Sequence, residues 1–262
     1  MRVIDFHTHV YPDFIAGKAA DTIRSFYSLG DDSMNGTVTD LLAHADRAGI
    51  SEFVLLPVAV KPEGTRHIND FILGQLETQP RFYGFGTIHA AMENLTDEVE
   101  YIIDKGLRGV KMHPDFQVFP IDDPRLFPAY EQLQGRLPVL FHMGDQRYDH
   151  SHPRRLRQVL ELFPKLQVIA AHFGGYTMHE TACQELKHTD CFFDISSSLM
   201  FMDECVAEIY INPYGAERLV YGSDYPMWNP ERELQRFLRL KLTDAQFQQI
   251  AWKTAAQILH LP

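Results

Sequence analysis

The chain has 262 residues, 45% of them apolar, which is enough for one sizeable core and suits a single α/β barrel domain over residues 1–262. Its 24 basic against 35 acidic residues leave a formal charge of −11, which repels nucleic acid and anionic membrane surfaces and leaves a small molecule as the expected partner. Cys183, Cys191 and Cys205 are odd in number and lack metal-type spacing, so neither a disulfide framework nor a cysteine zinc site is expected, and a cytoplasmic protein is the default. The first residues enter an apolar strand at Val3 with no charged leader, and no apolar run is long enough for a membrane span. A homo-oligomer is left open, because surface patches that no pattern fixes decide it.

Eight short apolar runs follow in order: Arg2 to His7, Glu52 to Pro57, Phe82 to Ile88, Gly106 to His113, Pro138 to His142, Gln167 to His172, Cys191 to Ser196 and Arg218 to Gly222. Between them the periodicity predicts helices over Val38 to Ala48, Arg66 to Thr78, Thr96 to Lys105, Pro124 to Gln134, Pro153 to Phe163, His179 to Lys187 and Asp203 to Ile211. Two more cover Pro230 to Arg239 and Asp244 to Ile258. Repeated βα units with no linker predict an α/β fold of the (β/α)8 TIM-barrel type. An open doubly wound sheet competes, but it would carry a glycine-rich turn after its first strand, and here two histidines stand there.

That first strand reads Val3-Ile4-Asp5-Phe6-His7-Thr8-His9, and alternation puts both histidines on one face, with Asp5 a layer deeper on the same face. Neutral imidazoles projecting together from a strand end make half of a metal site. Strand five ends in His142, strand six in His172, and strand eight runs into Ser223-Asp224-Tyr225-Pro226. Active sites of barrel enzymes lie at this C-terminal rim, so these five side chains are read as one site. Taken singly, each imidazole has a plainer reading as a hydrogen-bonded core residue, and Asp224 as a helix cap.

With those residues in view, the chain resembles the amidohydrolase superfamily and, within it, the amidohydrolase-2 group. The landmarks are Asp5-Phe6-His7-Thr8-His9, Gly109-Val110-Lys111-Met112-His113-Pro114, Phe141-His142-Met143-Gly144, Ala171-His172-Phe173-Gly174-Gly175 and Gly222-Ser223-Asp224-Tyr225-Pro226. The resemblance implies a single divalent metal held by His7, His9, His142 and Asp224, with His172 as acid or base beside it. Zinc is the expected ion, with manganese as an alternative. Asp224 and His172 are the expected catalytic pair: Asp224 takes a proton from water, and protonated His172 holds an oxyanion.

Lys111 and His113 share a face of strand four and reach the same rim. Lys111 is expected to bind a substrate carboxylate, with a structural ion pair as its plainer reading; a carbamylated Lys111 bridging two ions, with His142 and His172 on the second, is the other arrangement. His113 is carried as substrate-binding, although a loop histidine is its plainer reading. Arg147, His150 and His152 read as a solvated loop after strand five, and Arg154, Arg155 and Arg157 as the wet face of a helix. Tyr225 and Trp228 line a pocket or pack on helices, Phe26 and Tyr27 belong to a lid or to the core, and Asn69 and Asp70 read as exposed. The leading expectation is a hydrolase in which metal-activated water attacks an ester, lactone or amide carbon. A non-oxidative decarboxylase using the same residues is the alternative, and an inert barrel that only binds ligands stands last.

Overall fold

A computed structural model describes residues 1–29 and 34–262. The strands are β1 (Ile4–Thr8), β2 (Glu52–Leu55), β3 (Phe82–Gly84), β4 (Gly86–Thr87), β5 (Val110–Met112), β6 (Val139–Phe141), β7 (Val168–Ala170), β8 (Phe192–Asp194) and β9 (Leu219–Val220). Neighbours pair in parallel in the orders β1-β2-β3 and β4-β5-β6-β7-β8-β9. Two junctions join these ladders. The third predicted run divides at Phe85, whose N–H reaches Leu55 O at 3.0 Å while that of Gly86 turns to Gly109 O at 2.8 Å. The ends meet where Phe6 N donates to Tyr221 O at 2.8 Å and His9 N to Tyr225 O at 2.7 Å. The result is a TIM barrel with the helices outside.

Alternation sorts the side chains into two layers. Ile4, Phe6, Val54, Phe85, Leu140, Ile169 and Val220 form one buried cluster, joined by Ala255, Ile258 and Leu259 of the C-terminal helix. Phe53, Val110, Val139, Val168, Phe193 and Leu219 belong to the other, which packs against the surrounding helices. On β5 and β6 this parity leaves Lys111 and His142 on the inner side. On β1 it fails, because the pairing slips by one residue between Asp5 and Thr8. A bulge of this kind re-aims the residues that follow it. Asp5 pairs with Phe53 of the outer layer and so does not share the face of His7, which corrects the simple alternation.

Most predicted helices are present, such as Val38–Ala48, Thr65–Thr78 and Pro153–Leu162. The run from Pro124 opens as a 3-10 turn before the helix Phe127–Leu133, and the last helix carries a π-helical turn over Gln249–Lys253. The helix Asp13–Tyr27 was not predicted. Its apolar residues do not make a core-facing stripe: Phe14 is 88% exposed, and only Ala16 and Ala20 are buried. Asn69, read as exposed, is fully buried: its amide oxygen accepts from Thr87 N, and its amide nitrogen donates to Thr87 O and Glu98 Oε1. Asp70 is exposed, as expected. No helix among the described residues is long and apolar enough to cross a membrane.

Candidate metal centre

β1 and the turn after β9 run side by side at the rim, and their backbone bonds fix three donors. Asp224 N donates to His7 O at 2.8 Å, next to the bond from His9 to Tyr225. This approach needs Gly222, since a Cβ there would stand 2.7 Å from that of His7. His7 Nε2 then lies 3.1 Å from His9 Nε2, and Asp224 Oδ1 lies 3.5 and 3.4 Å from the two.

Proton placement tests whether a cation fits. His9 Nδ1 faces the carbonyl of Leu56 at 2.5 Å, and a carbonyl only accepts, so this nitrogen carries a hydrogen. His7 Nδ1 faces Asp194 Oδ2 at 2.8 Å and donates likewise. With a hydrogen on each Nδ1, the two Nε2 atoms are turned toward each other and toward a carboxylate. Such a cluster repels itself unless a cation sits in it, and imidazoles oriented through their second nitrogen are how proteins hold divalent ions.

The end of β8 supplies the supports. Asp194 is fully buried and uses both oxygens: Oδ2 on His7, Oδ1 on Ser196 Oγ at 2.5 Å and on the backbone N–H of Ser196 and His172. Burial raises its pKa, but His7 and His172 outweigh that and hold it well below the usual carboxylate range. Asp224 behaves the same way, with burial opposed by His7, His9 and His172. Asp194 was missed from the sequence: it ends β8, but the predicted run, Cys191 to Ser196, placed it mid-strand.

His172 stacks on His7 with ring centres 5.2 Å apart. Its Nδ1 donates to Ser196 O at 3.0 Å, so its Nε2 accepts from His142 Nδ1, also at 3.0 Å. Burial lowers the pKa of both rings, assisted at His142 by His113 and His172. His142 Nε2 then keeps a lone pair, which faces the Tyr27 hydroxyl at 3.3 Å. His113 stacks on His142 at 3.9 Å; its Nδ1 accepts from Phe116 N, and its Nε2 donates to Tyr27 Oη at 2.9 Å. His113, Asp115 and His142 form a second group of potential donors, but these hydrogen bonds already occupy its rings.

Lys111 is fully buried, with its Nζ 3.4 Å from His7 Nε2. Among the described residues it has no carboxylate partner within 4.0 Å. Burial pushes its pKa down to about 8, against the pull of Asp194 and Asp224. The pocket above these groups measures about 260 Å³, and its walls include Tyr11, Ile23, Tyr27, Val58, Met227 and Trp228. Trp228 thus lines the pocket, while Tyr225 is buried and donates to Thr37 O. Arg147 does not reach the pocket. It pairs with buried Asp145, donates to Phe26 O at 2.7 Å and lies over the rings of Phe26 and Tyr27, tying down the end of the helix Asp13–Tyr27. His152 caps the helix Pro153–Leu162, His150 stacks on Tyr148, and Arg154, Arg155 and Arg157 pair with surface carboxylates.

A family model described as amidohydrolase (Amidohydro_2) matches residues 4–261. The chain belongs to the amidohydrolase-2 family. It is accordingly a metal-dependent enzyme. Among solved structures it is similar to an uncharacterised TIM-barrel protein, Bb4693, from Bordetella bronchiseptica, with TM-score 0.83, 20% identity and 99% of each chain covered. It is similar to 5-carboxyvanillate decarboxylase from Sphingomonas paucimobilis, with TM-score 0.78 and 16% identity over 100% of this chain and 99% of that one. A dihydroxybenzoic acid decarboxylase from Polaromonas sp. JS666, with bound manganese and the inhibitor 2-nitroresorcinol, matches at TM-score 0.76 and 17% identity over 98% and 96%. At these identities the three likenesses establish the barrel. The expectation of a divalent metal ion agrees with the donor chemistry of His7, His9 and Asp224.

Proposed function

We propose that this member of the amidohydrolase-2 family is a divalent-metal-dependent, non-oxidative decarboxylase acting on a small aromatic or otherwise unsaturated acid. The observation that carries the reading is Lys111, a buried ammonium with no carboxylate partner among the described residues, beside a cluster that calls for a cation. Two neighbouring positive charges in a dry pocket are best satisfied by one anion lying across both, and a substrate carboxylate has that shape. The cavity of about 260 Å³ falls just below the usual range of ligand pockets, roughly 300–1,000 Å³, and suits a single ring.

In this reading His7, His9 and Asp224 would hold the ion; His142, the fourth donor that the resemblance implies, has its Nδ1 on His172 and its Nε2 facing Tyr27 in this structure. Bound there, the ion would draw electron density from the substrate's oxygens. Manganese suits two imidazoles and a carboxylate as well as zinc does, and the manganese-bound neighbour from Polaromonas supports it. Lys111 anchors the carboxylate, and the stacked ring of His113 borders it. The ring-to-carboxyl bond breaks with its electron pair left on the ring carbon, and carbon dioxide departs. Asp224 and His172 both rest unprotonated, so a proton taken up from solvent and relayed by one of them takes the vacated position. Apolar walls favour this step, because a charged carboxylate becomes a neutral product.

Hydrolysis led the expectation from sequence and draws on the same residues. Decarboxylation has the better support, since the solved neighbours from Sphingomonas and Polaromonas are decarboxylases. We also place the protein in the cytoplasm, where the free thiols Cys183, Cys191 and Cys205 are at home. The test is carbon dioxide release by the manganese-loaded protein from a panel of hydroxylated aromatic acids, run beside a panel of esters and lactones. Release of carbon dioxide is the expected result; turnover confined to the esters and lactones rejects decarboxylation.

A further inference from the structure

We propose that Ser197 is a positioning residue for Asp224, and that the Trp228 indole locks it from the wall of the substrate pocket. Asp224 has two oxygens with different surroundings. Oδ1 faces His7 and His9, while Oδ2 accepts a short hydrogen bond from Ser197 Oγ. A hydroxyl has one proton, so once Ser197 spends it on Asp224 the oxygen only accepts. The indole N–H, which only donates, fills that role at 2.7 Å. The chain therefore has one direction, from indole to serine to carboxylate, and it leaves Oδ1 as the oxygen offered to an ion.

The backbone gives a second, independent reason. Ser197 and Asp224 both sit in the left-handed region, with φ of 47° and 60°. For residues other than glycine this backbone is strained, and such strain gathers where a side chain is needed in a set place. A glycine at 197 would remove the cost and the hydroxyl together. Ser197 is 2% exposed and Trp228 8%, so water does not compete freely for these bonds, and all three side chains line the pocket. The inference rests on the ion-binding part of the reading above and not on decarboxylation.

The decisive variants are Ser197→Gly and Trp228→Phe, read by thermal unfolding, by Mn2+ titration and by hydrogen exchange at the Trp228 indole of the metal-free protein. Ser197→Gly is expected to unfold no earlier than wild type, to bind Mn2+ roughly tenfold or more weakly, and to lose protection of the indole N–H. Trp228→Phe keeps the pocket wall and should weaken Mn2+ by a smaller factor. Wild-type Mn2+ affinity in Ser197→Gly overturns the proposal, as does an indole that exchanges equally fast in both proteins. A variant that loses stability and affinity together assigns Ser197 to the fold and also overturns it. A wild-type protein that takes up no Mn2+, Co2+ or Zn2+ overturns this inference and the ion-binding reading with it, whereas tight metal binding without carbon dioxide release removes only decarboxylation.

Discussion

A buried ammonium with no carboxylate partner among the described residues weighs against the folded state, so Lys111 separates stability from function. Replacing it with methionine, of similar length and without charge, should stabilise the protein by about 1 kcal/mol or more. The same change should raise KM for a carboxylate substrate about 100-fold, ~2–3 kcal/mol for a charged hydrogen bond. Thermal unfolding and steady-state kinetics check the two halves, and a destabilised Lys111→Met variant would mark a structural ion pair instead. The pH response follows from the depressed pKa. Lys111 is charged below about 8 and neutral above, so carboxylate binding weakens as pH climbs through that value. A cation beside it moves the fall to lower pH and never to higher. The site residues were legible because His7, His9, His142, His172 and Asp224 each close a predicted strand. Asp194 and Ser197 escaped because an aspartate or serine at a strand end is common in any fold, and only their partners mark them out.

Among the elements, the closure of β1 against the turn after β9 carries the site. Gly222→Ala would drive a methyl into His7 Cβ at 2.7 Å. The expected result is a loss of about 1–3 kcal/mol in urea unfolding together with weakened metal binding. Strand and helix positions were largely readable from periodicity. The bulge in β1 was not, since it arises from pairing with β2 and leaves no mark on the order of residues. The helix Asp13–Tyr27 was hidden for another reason: its inner side faces the pocket through Ala19, Thr22, Ile23 and Tyr27, so it lacks a core-facing stripe. Arg147 ties its end through the Phe26 carbonyl. In Arg147→Ala, amides over residues 13–27 should exchange about tenfold faster, ~1.4 kcal/mol of local stability, while the barrel strands keep their protection. Equal exchange in both proteins would show that the helix is held elsewhere.

At the scale of the molecule, eight βα units place β1 beside β9 although residues 9–218 lie between them, and only closure brings His9 and Asp224 within 3.4 Å. Barrel closure was readable from the count of units and from which ends carry imidazoles; the tautomers, the apolar walls and the bare Lys111 were not, because each depends on packing across the barrel. Ion binding should feed back on the whole fold. At free metal about 100 times its dissociation constant, the stabilisation is ~2.7 kcal/mol, so chelation should lower the thermal midpoint. The most direct measurement is anomalous diffraction from a crystal soaked in Mn2+. A single strong peak about 2.0–2.2 Å from His7 Nε2, His9 Nε2 and an oxygen of Asp224 is the predicted result. No peak there, or a peak only between His113, Asp115 and His142, would contradict it.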